Sequence, residues 1–109
     1  MTKYNGLEIT ITINKNLDTW GLDESEFDVS ATMENVGDKL SEYAKSNYPG
    51  AKIEIEITNE IGIKSVSVTC WRNGDDDFND NMNGAAAMIN DDIEGENEQQ
   101  WGEWVVYKD

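Results

Sequence analysis

The sequence predicts an α+β domain in which a four-stranded antiparallel sheet carries one or two helices on one face, in the order β-α-β-β-α-β. Three observations lead there. Leu7 to Asn14 alternates apolar and polar residues without a fault, two further alternating runs occupy 51–58 and 63–71, and apolar residues from Val29 onward recur at steps of three and four. A period of two marks a strand with one buried face, and steps of three and four mark a helix with one buried stripe. A chain of 109 residues fits a single domain, 1–109, able to bury roughly 65% of the surface its unfolded form exposes.

The first strand, Leu7-Glu8-Ile9-Thr10-Ile11-Thr12-Ile13-Asn14, buries its isoleucines. Lys15 to Asp28 has no clear period and reads as a loop that pins Trp20 or Leu22 onto the core. In the helix that follows, Val29, Met33, Val36, Leu40, Tyr43, Ala44 and Asn47 share a face. Asp28 is its expected N-cap and Pro49-Gly50 its stop. The opposite face carries Glu34, Asp38 and Glu42, about 6 Å apart along the axis. Like charges at this spacing cost a few tenths of a kcal/mol each, and Lys45 relieves only Glu42.

The runs 51–58 and 63–71 are joined by the short link Asn59-Glu60-Ile61-Gly62 and read as a hairpin, with Gly62 supplying a positive φ. Pairing Thr58 with Ile63 sets Ile53 and Ile55 opposite Val68 and Val66 on the buried face. Glu54, Glu56, Ser65, Ser67, Thr69 and Trp71 then share the outer face. Beyond Gly74, the residues Phe78, Met82, Ala85, Ala86, Ile89 and Ile93 fit a second helical stripe, which Asn83-Gly84 weakens. Trp101 to Tyr107 is rich in aromatic and β-branched residues and predicts a final strand. This order permits a ferredoxin-like sheet of strand order 4-1-3-2.

Charge is the feature that bears on function. The net charge is −15, and the acids fall in blocks that contain no base. One block, 16–38, holds Asp18, Asp23, Glu24, Glu26, Asp28, Glu34 and Asp38. Another, 73–107, holds Asp75, Asp76, Asp77, Asp80, Asp91, Asp92, Glu94, Glu96, Glu98 and Glu103. Such a surface repels nucleic acid and acidic membranes and attracts basic proteins. Solubility alone is served by any net charge well away from zero, but folded domains usually intersperse the two signs. The segregation calls for a further reason.

Several chemistries are disfavoured. There is no His, so Ser-His, Cys-His and histidine-metal sites are absent. Cys70, the one cysteine, cannot form an intramolecular disulfide and sits in a strand pattern as a small buried hydrophobe. Asn79-x-Asn81-x-Asn83-Gly84 has the spacing of a calcium loop but lacks its carboxylates, including the acid expected where Asn90 stands. An irregular divalent site at Asp75, Asp76, Asp77 and Asp80 competes with a solvated acidic loop. We therefore expect a non-enzymatic protein without cofactor or metal. The start of the chain lacks an apolar signal core and no apolar run approaches the ~20 residues that cross a bilayer, so a cytoplasmic protein without membrane contact is expected.

An open sheet face that reads RNA needs aromatics among bases, whereas this one offers Glu8, Glu54 and Glu56. The arrangement suits a protein that presents phosphate-like charge. Duplex DNA carries one charge per about 1.7 Å of axis, so a mimic needs rows of carboxylates. Glu34-Asp38-Glu42, Glu24-Glu26-Asp28 and Asp91-Asp92-x-Glu94-x-Glu96-x-Glu98 supply such rows. In size, acidity, lack of catalytic residues and compact α+β pattern the chain resembles, as a class, the small phage-encoded inhibitors of bacterial defence, the anti-CRISPR and anti-restriction proteins. The resemblance implies steric blockade of a nucleic-acid-binding surface on a CRISPR effector or restriction enzyme, without direct binding of nucleic acid. The expected contact residues are Glu24, Glu26, Asp28, Glu34, Asp38, Glu42, Glu54, Glu56, Trp71, Asp75, Asp76, Asp77, Asp91, Asp92, Glu94 and Glu96. An immunity protein against a basic toxin nuclease is the rival. Its affinity would centre on anchors such as Trp20, Trp71, Trp101 or Trp104. A plain module for a basic partner is a third reading.

Overall fold

The computed structural model describes residues 6–59, 64–79 and 84–108. Its elements are β1 (Leu7–Asn14), a 3-10 turn (Leu17–Trp20), α1 (Val29–Asn47), β2 (Lys52–Thr58), β3 (Val66–Arg72) and α2 (Ala85–Trp104). The α+β class stands, but the sheet has three strands in the order β2-β1-β3. It is mixed: β1 pairs with β2 in parallel and with β3 antiparallel. This corrects the expected four-stranded antiparallel sheet and its ferredoxin-like order.

The expected β2–β3 hairpin is absent, because β3 lies on the far side of β1. Ile55 therefore neighbours Ile11, whose other neighbour is Val68. Alternation fixed the faces of these strands but not their order, since each strand buries its apolar face beside any neighbour in register. Burial decides the order. Ile9, Ile11 and Ile13 are wholly buried, and a strand buried to that degree belongs at the centre, with helices above and a strand on either side. Residues 60–63, including the expected Gly62 turn, lie outside the described residues.

The second correction concerns the C-terminal segment. Trp101 and Trp104 form the last turn of α2 instead of opening a strand, and among the described residues after it only Tyr107 makes an isolated antiparallel bridge, to Phe27. The reason is the period: Ala86, Ile89, Ile93, Asn97, Trp101 and Trp104 continue one stripe at steps of three and four, and its packing outweighs the β-propensity of two aromatic residues. α2 begins at Ala85, with Gly84 at the cap position and no side-chain cap. Phe78 precedes the helix, half-buried beside the Arg72 guanidinium at 4.5 Å. Met82 is outside the described residues.

Both helices cover the isoleucine face. Val36, Leu40, Ala44, Ile89 and Ile93 pack there with Leu7, Val66, Val68 and Cys70. The Asp28 side chain accepts the Ala31 N–H at 3.0 Å and caps α1 as expected. The 3-10 turn buries Leu17 and Trp20, and the Trp20 indole N–H donates to the Asn14 carbonyl at 2.7 Å. Trp20 also meets Trp101 edge to face at 5.7 Å. α1 holds the tail after α2: Asn35 Nδ2 donates to the Trp104 carbonyl at 2.8 Å, and Thr32 Oγ1 accepts the Val106 N–H at 3.0 Å.

Two phenolic groups tie α1 to α2. The Tyr43 hydroxyl donates to Asp92 Oδ1 at 2.8 Å, and the Tyr48 hydroxyl donates to Oδ2 of the same carboxylate. The bond to Asp92, with burial and neighbouring negative charge, pushes Tyr43 up from 10.0 to about 12. Burial pushes the Cys70 thiol up from 9.0 to about 12. In both cases the fold favours the neutral, protonated form. Their contribution is therefore complete below the unfolded values and is lost as pH rises through the folded ones. The urea midpoint should fall between pH 9 and 12, and Tyr43→Phe with Cys70→Ala should flatten that slope. An unchanged slope in the double variant would contradict this assignment.

Candidate partner-binding surface

Across the sheet face opposite the helices, register sets three rows: Lys52–Glu8–Trp71, Glu54–Thr10–Thr69 and Glu56–Thr12–Ser67. Trp71 is half exposed there, as expected from its position in the alternation. Lys52 pairs with Glu54 at 3.1 Å in the open, an arrangement that contributes little stability. Glu56 has no ion-pair partner among the described residues.

On the other side of β2, the α1 ridge of Glu34, Asp38 and Glu42 is exposed and makes no ion pair among the described residues. Glu34 and Asp38 stand on the rim of a groove of about 440 Å3 between α1 and β2, lined by Val29, Met33, Gly37, Ile55 and Ile57. Lys15 is the base on that rim. Gly37 faces the sheet, where a Cβ would sit 3.4 Å from Ile55 Cγ2 and 3.5 Å from Ile13 Cδ1, ordinary van der Waals contact. Two of the expected acidic features, the α1 ridge and the Glu54–Glu56 pair, thus flank one sheet edge.

The remaining expected contact residues are spread around the molecule. Glu24, Glu26 and Asp28 are exposed between the 3-10 turn and α1, while Asp76, Asp77 and Asp91 are exposed elsewhere. Glu96 is half-buried. Others serve the fold itself. Asp92 takes the two tyrosine hydroxyls, and Glu94 takes Lys64 at 2.9 Å and the Val68 N–H at 3.2 Å. Asp75 accepts the Phe78 N–H and pairs with Arg72 at 3.6 Å. Among the described residues, no group of three or more acidic or Cys side chains is placed to hold a metal ion. Asp80, Asn81 and Asn83 lie outside them. Asn79 is turned to structural use, its side chain both accepting from the N–H of Arg72 and donating to its carbonyl, each at 2.9 Å.

The groove is not legible in the sequence. Gly37, in the middle of an otherwise apolar helix stripe, is the signal that could have located the groove. Among the described residues no helix is long and apolar enough to cross a membrane. Comparison with protein-family models, curated proteins and solved structures finds no match to this chain.

Proposed function

We propose that this protein is a non-enzymatic binding protein that occupies a basic, nucleic-acid-binding surface of another protein and blocks nucleic acid there, in the manner of the anti-CRISPR and anti-restriction DNA mimics. The observation that carries the reading is the pair of acidic rows, Glu34-Asp38-Glu42 and Glu54-Glu56, bordering one edge of the sheet, of which only Glu54 has an ion-pair partner, Lys52, among the described residues. An extended row of like charge costs the isolated fold a little and attracts a basic surface from a distance. Because the charge is distributed, no single acid dominates.

The test is capture by the immobilised protein from lysates of bacteria carrying CRISPR or restriction systems, with and without duplex DNA as competitor. A retained nucleic-acid-binding complex that DNA displaces is expected. Glu34→Lys, Asp38→Lys and Glu42→Lys together should lower its affinity by about a hundredfold, with each single change costing a few-fold. Retention indifferent to both DNA and the triple variant would overturn the proposal.

Trp71 favours a second reading, an immunity-type protein against a basic nuclease. A half-exposed Trp opposite Glu8 is the kind of aromatic anchor on which such interfaces depend. On that reading Trp71→Ala alone abolishes binding and the ridge reversal does little.

A further inference from the structure

The two edges of the sheet are unequal. Lys15 donates its backbone N–H to the Thr58 carbonyl, so in parallel pairing the even-numbered residues of β2 bond to β1. The N–H and C=O groups of Ile53, Ile55 and Ile57 then point away from the sheet. They have no hydrogen-bond partner among the described residues. On β3 the outward-facing groups are partly occupied, Val68 by Glu94 and Arg72 by Asn79. One edge is interrupted by the protein's own side chains, and the other is left as a template for pairing.

The open edge also carries a pattern. On the helix side Ile55 and Ile57, 37% and 49% exposed, lead into the apolar groove. On the opposite side Glu54 and Glu56 stand outward, and Glu34 and Asp38 rim the groove. A strand added beside β2 would place alternate side chains on these two sides. One set would meet Ile55, Ile57 and Met33; the other would meet Glu54 and Glu56. A second copy of this chain is a poor occupant, because an antiparallel β2–β2 pair in full overlap sets Glu54 against Glu56, which destabilises a cross-strand pair.

We propose that the free edge of β2 and its groove take up an extended segment of a partner protein, in which Lys or Arg alternates with aliphatic residues, as a fourth strand. Main-chain bonds to Ile53, Ile55 and Ile57 supply the docking and the groove supplies selectivity. The inference rests on the preceding reading only for the sign of the partner's charge.

The probe is a blocked peptide of alternating Lys and Val, as long as β2. Its binding should slow hydrogen exchange at the Ile53, Ile55 and Ile57 amides by about tenfold or more. A peptide of the same composition with its lysines and valines in separate blocks should bind about tenfold more weakly, as should an alternating Glu-Val peptide. Ile55→Pro removes one outward N–H and should abolish protection. Should that variant fail to fold, Glu54→Lys with Glu56→Lys, both at exposed positions, should weaken the alternating peptide by about tenfold or more.

Binding without protection of those amides, equal binding of the block peptide, or a β2 edge already protected in a dimer of the protein alone would each overturn the proposal. If the peptide fails while the ridge reversal still releases captured complex, strand addition falls by itself. If the peptide protects the edge while ridge reversal changes nothing, the edge site stands and the mimicry reading falls.

Discussion

Trp20→Ala should lower stability by about 3–5 kcal/mol, the range for removing a buried Trp. That is a large part of the roughly 5–15 kcal/mol that holds a typical domain, and at about 4 °C or more per kcal/mol the melting temperature should drop by more than 10 °C. Trp20 does three things at once. Its ring is buried in the core, its edge meets Trp101, and its N–H bonds the Asn14 carbonyl at the end of β1. It therefore anchors the connection that carries Glu24, Glu26 and Asp28. Trp20→Phe keeps most of the ring and loses the donor, and should cost about 1–3 kcal/mol. Urea unfolding followed by circular dichroism checks both values. Equal losses in the two variants would show that the hydrogen bond, and not the ring volume, dominates.

The second large effect has the opposite sign: Asn97→Leu should stabilise the protein by about 1–3 kcal/mol. Asn97 is 2% exposed in the middle of the α2 stripe, and its Oδ1 has no hydrogen-bond partner among the described residues. A desolvated acceptor without a partner carries that order of penalty, and Leu fills a similar volume with no polar atom. The same unfolding measurement reads the result. A loss of stability would mean that Oδ1 is satisfied, through a bridging water, and that the amide belongs to the core's design. Since the side chain is buried, capture of a partner should be unaffected either way.

Much of the fold was legible where one period ran long enough. Leu7–Asn14 and Val29–Asn47 have in the structure the limits that alternation and stripe assign, and Asp28 caps where a capping residue was expected. Sheet order was not legible, because Ile53, Ile55, Val66 and Val68 satisfy their faces equally well in a hairpin or on opposite sides of β1. At the C-terminus Trp101 and Trp104 carry β-propensity and helical spacing together, and only packing on Trp20 and the sheet decides between them. For the surface, composition identified the acids but not their neighbours. That Asp92 and Glu94 answer to tyrosine hydroxyls and a strand amide, while Glu34, Asp38 and Glu56 answer to no cation among the described residues, depends on contacts between segments distant in sequence.

The unequal edges give the sheet a valence of one. Growth of a β-structure by repeated addition needs two open sides on every unit, one to join the unit before and one to receive the next, and a head-to-tail contact that does not close runs on into a fibre. Here a strand accepted beside β2 finds Glu94 and Asn79 interrupting the opposite edge. A chain that ends growth rather than passing it on can expose apolar edge residues, and hold them ready for a partner, without becoming a link in a polymer.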